Sequence, residues 1–194
     1  MPVFLRITLV AVLCLLQLHG NAADLRQVDI ERVGDRYLLQ SSTWFAVDRE
    51  SLFQVIIDYD HFVDMSSVFV EGRNIAPNED GKPRFYTLME GCVFIFCKRL
   101  KRYGWLDIHA PHEVVARIDP STSDFRFSKE RWRLKEENGG TLMTYEFEME
   151  PGFWVPPVIG PYMIRHTLIE GGTEAVDRIE ALAQKRAAKN DGNE

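Results

Sequence analysis

Few side chains in this sequence stand at spacings that could do chemistry, and each has a plainer explanation beside the chemical one. His109 and His112 flank Pro111, and two imidazoles so placed meet one metal ion only if the turn brings them round. Turn histidines are more often simply solvated, so no metal is expected. His166 lies two places from Ile164 and two from Leu168, which suits a boundary histidine better than an acid-base catalyst. Asp58 and Asp60 bracket Tyr59 and could form a carboxylate pair, but at a helix end such residues more readily cap and hydrogen-bond a turn. A phosphate-cradling glycine loop, a nucleophile elbow and the usual zinc spacings are all missing from the sequence. No catalytic residue and no cofactor is therefore assigned. An enzyme built on this chain would have to draw on groups such as His166, Glu146 or Asp107.

Aromatic residues are far better supplied. Trp105, Trp132, Tyr145, Phe147, Phe153 and Trp154 offer flat apolar surface, which favours recognition of a hydrophobic molecule over chemistry on a polar one. Taken singly, each is also ordinary core. The elements that would position them follow a simple order: a short helical stretch, a series of turn-punctuated strands, and one long closing helix approached through Pro156, Pro157 and Pro161. A sheet read hairpin after hairpin and closed by a single helix is an α+β arrangement, and the space between sheet and helix is either core or a ligand cavity.

The first residues belong to a different category. Arg6 precedes an apolar run from Ile7 to Leu16, broken only by Thr8, and Gly20, Ala22 and Ala23 follow, which matches a secretory signal peptide cleaved after Ala22 or Ala23. Leu13 stands before Cys14 where a lipoprotein signal wants Gly or Ala, so lipidation is not expected. The expected division is a signal peptide over 1–23, one domain over 24–188 and a disordered tail over 189–194. The remaining chain, about 170 residues, suffices for one sizeable core. At 45% hydrophobic and 27% charged, with a net charge of −6, it lacks the basic face a nucleic acid would need. The expected location is periplasmic or secreted. There Cys92 and Cys97 can pair as a disulfide if residues 93–96 turn back, but not if 92–97 is one straight strand.

Strands are expected over 28–33 and 37–45 around Gly34-Asp35, over 68–76 and 84–93 around Asn78-Glu79-Asp80-Gly81, and over 98–110 and 113–118 around Pro111. Asp48 is a candidate N-cap for a helix over 49–58, with a second helical turn over 60–65. Phe125 and Phe127 share one face while Trp132 and Leu134 share the other, which predicts a bulge near residues 128–131. Asn138-Gly139 signals a type I′ turn into a strand over 141–149 with one wet and one dry face. From about residue 158, Ile164, Leu168, Gly171, Ala175, Ile179 and Leu182 keep helical spacing, and the helix is expected to end within 185–188. Gly171-Gly172 inside it costs about 1 kcal/mol per glycine, offset by close packing or by room for a ligand. Lys98, Arg99, Lys101 and Arg102 form a basic cluster beside Val93, Phe94, Ile95 and Phe96. It reads either as a protected edge strand or as a transient membrane-surface contact.

Val47 to Phe53 running into Asp58-Tyr59-Asp60-His61-Phe62, Asp124-Phe125 to Trp132, Gly140 to Tyr145, and Pro156-Pro157 before the closing helix together resemble the START-like (SRPBCC) superfamily, specifically its polyketide cyclase/dehydrase and coenzyme Q-binding types. The resemblance implies the helix-grip fold: a curved antiparallel sheet around the C-terminal helix, with two small helices after the first strands. It also implies a cavity for a lipid, isoprenoid or polyketide-like molecule. Such a ligand would be lined by Trp105, Trp132, Tyr145, Phe147, Ile164, Leu168, Gly171 and Gly172. The expected function is binding or transport of a hydrophobic small molecule, with a cyclase-, hydratase- or dehydratase-type enzyme acting in the same cavity and a filled protein-interaction module as the alternatives.

Overall fold

The computed structural model describes residues 23–93, 96–157 and 160–191. Eight strands, β1 (Asp24–Val33), β2 (Arg36–Phe45), β3 (Phe69–Ile75), β4 (Arg84–Val93), β5 (Phe96–His109), β6 (Glu113–Ile118), β7 (Phe125–Glu137) and β8 (Gly140–Pro151), form one antiparallel sheet. Its order is β1-β2-β8-β7-β6-β5-β4-β3. Consecutive strands meet through short turns, and Asn138 and Gly139, at φ 52 and 76, take the paired left-handed conformations a type I′ turn needs. The inward set on β8 is the expected alternation of Thr141, Met143, Tyr145, Phe147 and Met149. Gly104 in β5 allows the sheet to bend tightly: a Cβ there would stand 2.0 Å from the Arg117 carbonyl oxygen and 2.8 Å from the Phe85 ring.

Between β2 and β3 the chain crosses from one side of the sheet to its far edge through α1 (Arg49–Ile56), a 3₁₀ turn at Tyr59–His61 and α2 (Phe62–Met65). Asp48 caps α1 by accepting from the Ser51 amide at 2.8 Å. Asp60 ties the turn to β3, accepting from the backbone and side-chain nitrogens of Asn74 at 2.9 and 3.0 Å. The crossing fills one end of the fold with side chains. Leu52, Phe53, Ile56, Tyr59 and Phe62 are buried, and Tyr59 stacks on Phe62 and Phe85 with centroids 3.8 and 4.4 Å apart.

One long helix, α3 (Gly160–Asp191), closes the inner face. It runs past the expected end within 185–188, so Lys189, Asn190 and Asp191 are helical rather than tail. Its burial is graded along its length: Val176, Ile179 and Ala183 are buried over the packed end, while Ile164 and Leu168 are half covered. Arg165 donates to the Ile30 carbonyl at 2.8 Å, Glu174 accepts from the Ser67 hydroxyl at 2.5 Å, and Arg186 pairs with Asp58. The two adjacent glycines differ in their surroundings. A Cβ on Gly171 would lie 2.7 Å from Val68 Cγ2, whereas one on Gly172 would meet nothing within 4 Å.

The β7 irregularity lies between Phe125 and Phe127, not near residues 128–131. Beyond that bulge the inward parity is regular through Ser128, Glu130, Trp132 and Leu134, so the mid-strand switch of face expected from sequence is a switch at its start. Gly104→Ala is expected to destabilise by roughly 1–3 kcal/mol in urea unfolding, the usual cost of overpacking. Gly172→Ala should stabilise by about 1 kcal/mol, and Gly171→Ala by less because Val68 must move. The Asn74 side-chain and backbone hydrogen bonds hold the Asp60 carboxyl below its ordinary value. Its stabilising contribution is present above the normal Asp range and lost as pH falls through the lowered folded value, so Asp60→Ala should weaken the acid-side loss of stability measured below pH ~4.

Candidate functional site

Toward the first turns of α3 the sheet and helix part, leaving a cavity of ≈ 580 Å³. Its walls include Met89 and Leu100 from β4 and β5, Phe125 from β7, Phe153 from the segment before α3, and Ile164 and Leu168 from α3 itself. A second hollow of ≈ 160 Å³ continues it toward Gly171 and Val176, with Phe62, Trp132 and Tyr145 in its wall. The two share Val68, Met89, Phe147, Thr167 and Leu168, so they adjoin along the helix. The larger volume falls in the range usual for small-molecule sites.

Beside the smaller hollow lies a buried charged pair, of which Glu130 belongs to the wall. Arg102 takes the inward parity of Leu100, Gly104 and Leu106 on β5, and Glu130 that of Ser128 and Trp132 on β7. Their side chains are 1% and 4% exposed, with Nη2 of Arg102 2.5 Å from Oε1 of Glu130. The approach is an ion pair by distance, not a straight hydrogen bond. The guanidinium lies 5.7 Å from the ring centres of both Phe85 and Phe147, and its Nη1 is 3.9 Å from Met89 Sδ. Nε of Arg102, the Tyr59 hydroxyl, Thr87 Oγ1 and Ser128 Oγ are buried without a hydrogen-bond partner among the described residues.

Burial pushes the Glu130 carboxyl up, and the adjacent guanidinium opposes that push. For Arg102 burial works toward loss of the proton, but Glu130, joined by Tyr59 and Tyr145, outweighs it and the pKa is raised. Burial, reinforced by Glu130, pushes the Tyr59 and Tyr145 hydroxyls well above their ordinary value. They remain neutral donors at any physiological pH. Glu130 forms part of the wall of the smaller hollow, so a polar group on a ligand there would meet a carboxylate with hydroxyl groups and an arginine behind it. Taking such a pair out of water is costly, and its presence is poor evidence of a stability role.

Of the residues expected to line a ligand, Phe147, Ile164 and Leu168 stand in the wall of the larger cavity, and Trp132, Tyr145, Gly171 and Gly172 in that of the smaller hollow. Trp105 lines neither. It alternates with the buried Gly104 and Leu106 and therefore stands on the opposite face of the sheet. Arg102 leaves the expected surface cluster for the interior, while Arg99 pairs with Glu90 and Lys98 lies 4.1 Å over the Phe153 ring. Of the groups an enzyme would have drawn on, His166 pairs with Glu170, Glu146 with Arg131 and Arg133, and Asp107 with Lys82 and Arg117, none of them in either cavity wall. His112 meets Arg49, and no metal-holding cluster occurs among the described residues. Register places Cys92 directly across from Cys97 at the β4-β5 hairpin end. Phe94 and Ile95, and the side chains of Cys92, Val93 and Phe96, lie outside the described residues. Parity with Trp132 and Leu134 was the signal that could have singled out Glu130, and parity with Leu100 and Leu106 could have done the same for Arg102.

No family model matches the sequence, and no curated protein matches it. Solved structures do. A STAR-related lipid transfer protein from Xanthomonas axonopodis aligns with TM-score 0.62 at 12% identity, over 84% of this chain and 99% of that one. A START superfamily protein from Mycobacterium smegmatis gives 0.60 at 16% identity, over 75% and 98%. The Zhui aromatase/cyclase from Streptomyces sp. R1128 gives 0.60 at 10% identity, over 78% and 96%. Identities this low speak for architecture alone, and that architecture is the helix-grip fold of START-superfamily proteins.

Proposed function

We propose that this protein binds and carries an amphipathic small molecule, its apolar body between the sheet and the first half of α3 and its polar group toward Glu130 and Arg102. The observation that carries the reading is an apolar cavity of ≈ 580 Å³ continuing into a hollow whose wall includes Glu130, the buried partner of an arginine with donors left unsatisfied among the described residues. Lipid, isoprenoid alcohol and polyketide-like molecules have that shape and polarity. The names of structural neighbours, a lipid transfer protein and an aromatase/cyclase, fit a ligand of this class. A cyclase reading has less support, because the carboxylates in the cavity walls, Glu130 and Glu90, are each committed to an arginine.

Export belongs to the same proposal. The leader pattern and the opposed Cys92 and Cys97 suit an oxidising compartment, where a disulfide would close the hairpin beside the larger cavity. Trp154, 77% exposed and part of that cavity's wall, and Lys98 over Phe153 would suit brief contact with a membrane during loading.

Native mass spectrometry of the protein purified from its exported compartment, followed by organic extraction, should reveal a co-purifying apolar molecule. A protein that purifies empty and takes up no fatty acid, isoprenoid alcohol or polyketide-like probe would defeat the reading. Ile164→Trp should narrow the larger cavity and weaken uptake with an unchanged melting temperature. Glu130→Leu alone should destabilise by about 3–5 kcal/mol by stranding the guanidinium. Combined with Arg102→Met, it should return to near wild-type stability while selectivity for the ligand's polar group disappears.

A further inference from the structure

Glu180 is a second buried carboxylate, and the cavity does not use it. It sits on the C-terminal half of α3 at 7% exposure. Its Oε2 accepts from the backbone nitrogen of Ala23 at 2.7 Å, and its Oε1 from that of Ala46 at 3.2 Å. Among the described residues no arginine, lysine or histidine pairs with it. A buried carboxylate satisfied only by neutral amides keeps most of its desolvation cost, which a counter-charge would offset. Ala23 immediately precedes β1, and its side chain packs against the core.

We infer that Glu180 is a binding site for an α-ammonium, namely that of Ala23 after the leader is cut between Ala22 and Ala23. The inference rests on the export reading above. A leader-removing endopeptidase of the exporting host would break the Ala22–Ala23 C–N bond with one water. Hydroxyl goes to the Ala22 carbonyl and hydrogen to the Ala23 nitrogen, which takes a further proton from solvent. The atom that donates to Oε2 thereby changes from an amide with one hydrogen to an ammonium with three. Charge and position then match, and Glu180 fastens the start of β1 and Ala46, just after β2, to α3. Cleavage after Ala23 would discard both the donor and a methyl group of the core, so the structure separates two sites that the small-residue pattern leaves equivalent.

The test is to express the full chain with its own leader in an exporting bacterium, determine the intact mass, and measure acylation of the α-amine by an amine-reactive acetyl ester with peptide mapping. A mature chain beginning at Ala23, acylated at least about tenfold more slowly than the Glu180→Gln variant, the factor corresponding to 1.4 kcal/mol, supports the inference. If Glu180→Gln fails to fold, the same comparison is made between native and denatured wild type. A chain beginning at Asp24 or elsewhere, or equal rates, overturns it. A retained leader overturns it together with the export reading, while a ligand found by extraction would leave the carrier reading standing.

Discussion

The inner face of the sheet is wider than one helix can seal, and most of what is distinctive here follows from that mismatch. The antiparallel order runs without interruption from β1 to β3, and the central strands β7 and β8 send alternate residues inward. One helix must cover them. The crossing through α1 and α2 supplies extra cover at one end, where Tyr59, Phe62 and Phe85 stack into solid core. At the other end only the half-buried first turns of α3 face the β4-β5 hairpin, and the space stays open. Core and cavity are thus two ends of one layer.

The Arg102–Glu130 pair stands near the boundary between those ends. Arg102 is flanked by Phe85, part of the packed end, and Phe147, part of the cavity wall. A charge pair in that position cannot be relaxed by solvent. Its orientation is held by the strands that carry it, so any ligand group reaching it meets a fixed electrostatic pattern. Hydroxyls at Thr87 and Ser128, without a partner among the described residues, extend the same pattern. Glu180 presents a different case of buried charge, with amide partners at Ala23, just before β1, and at Ala46, between β2 and α1.

Short-range signals were reliable wherever a local rule governs the backbone. β6 (Glu113–Ile118) and β4 (Arg84–Val93) fall where turn residues and alternation place them, and Asp48 caps α1 as its type and position suggest. The bulge was misplaced because a change of apolar face can be produced at any of several residues, and only pairing with β8 shows which one is extra. Trp105 was misassigned because its aromatic character was weighed above its parity. Arg102 was read as surface because it shares a sequence neighbourhood with Lys98, Arg99 and Lys101, although a strand separates adjacent residues onto opposite faces.

By itself the sequence determined the order of strands and helices, the faces of β8 and α3, and the glycines that interrupt the closing helix, because each depends on residues within a few positions of one another. Only the tertiary structure decided which buried surfaces touch. It packs Gly171 against Val68 while Gly172 stays open, brings Arg102 on β5 to Glu130 on β7, and seats Ala23 on Glu180 across 157 residues of chain. It also decided that the layer is hollow at one end. A cavity is a difference between the area a sheet presents and the area a helix covers, and no single segment carries that difference.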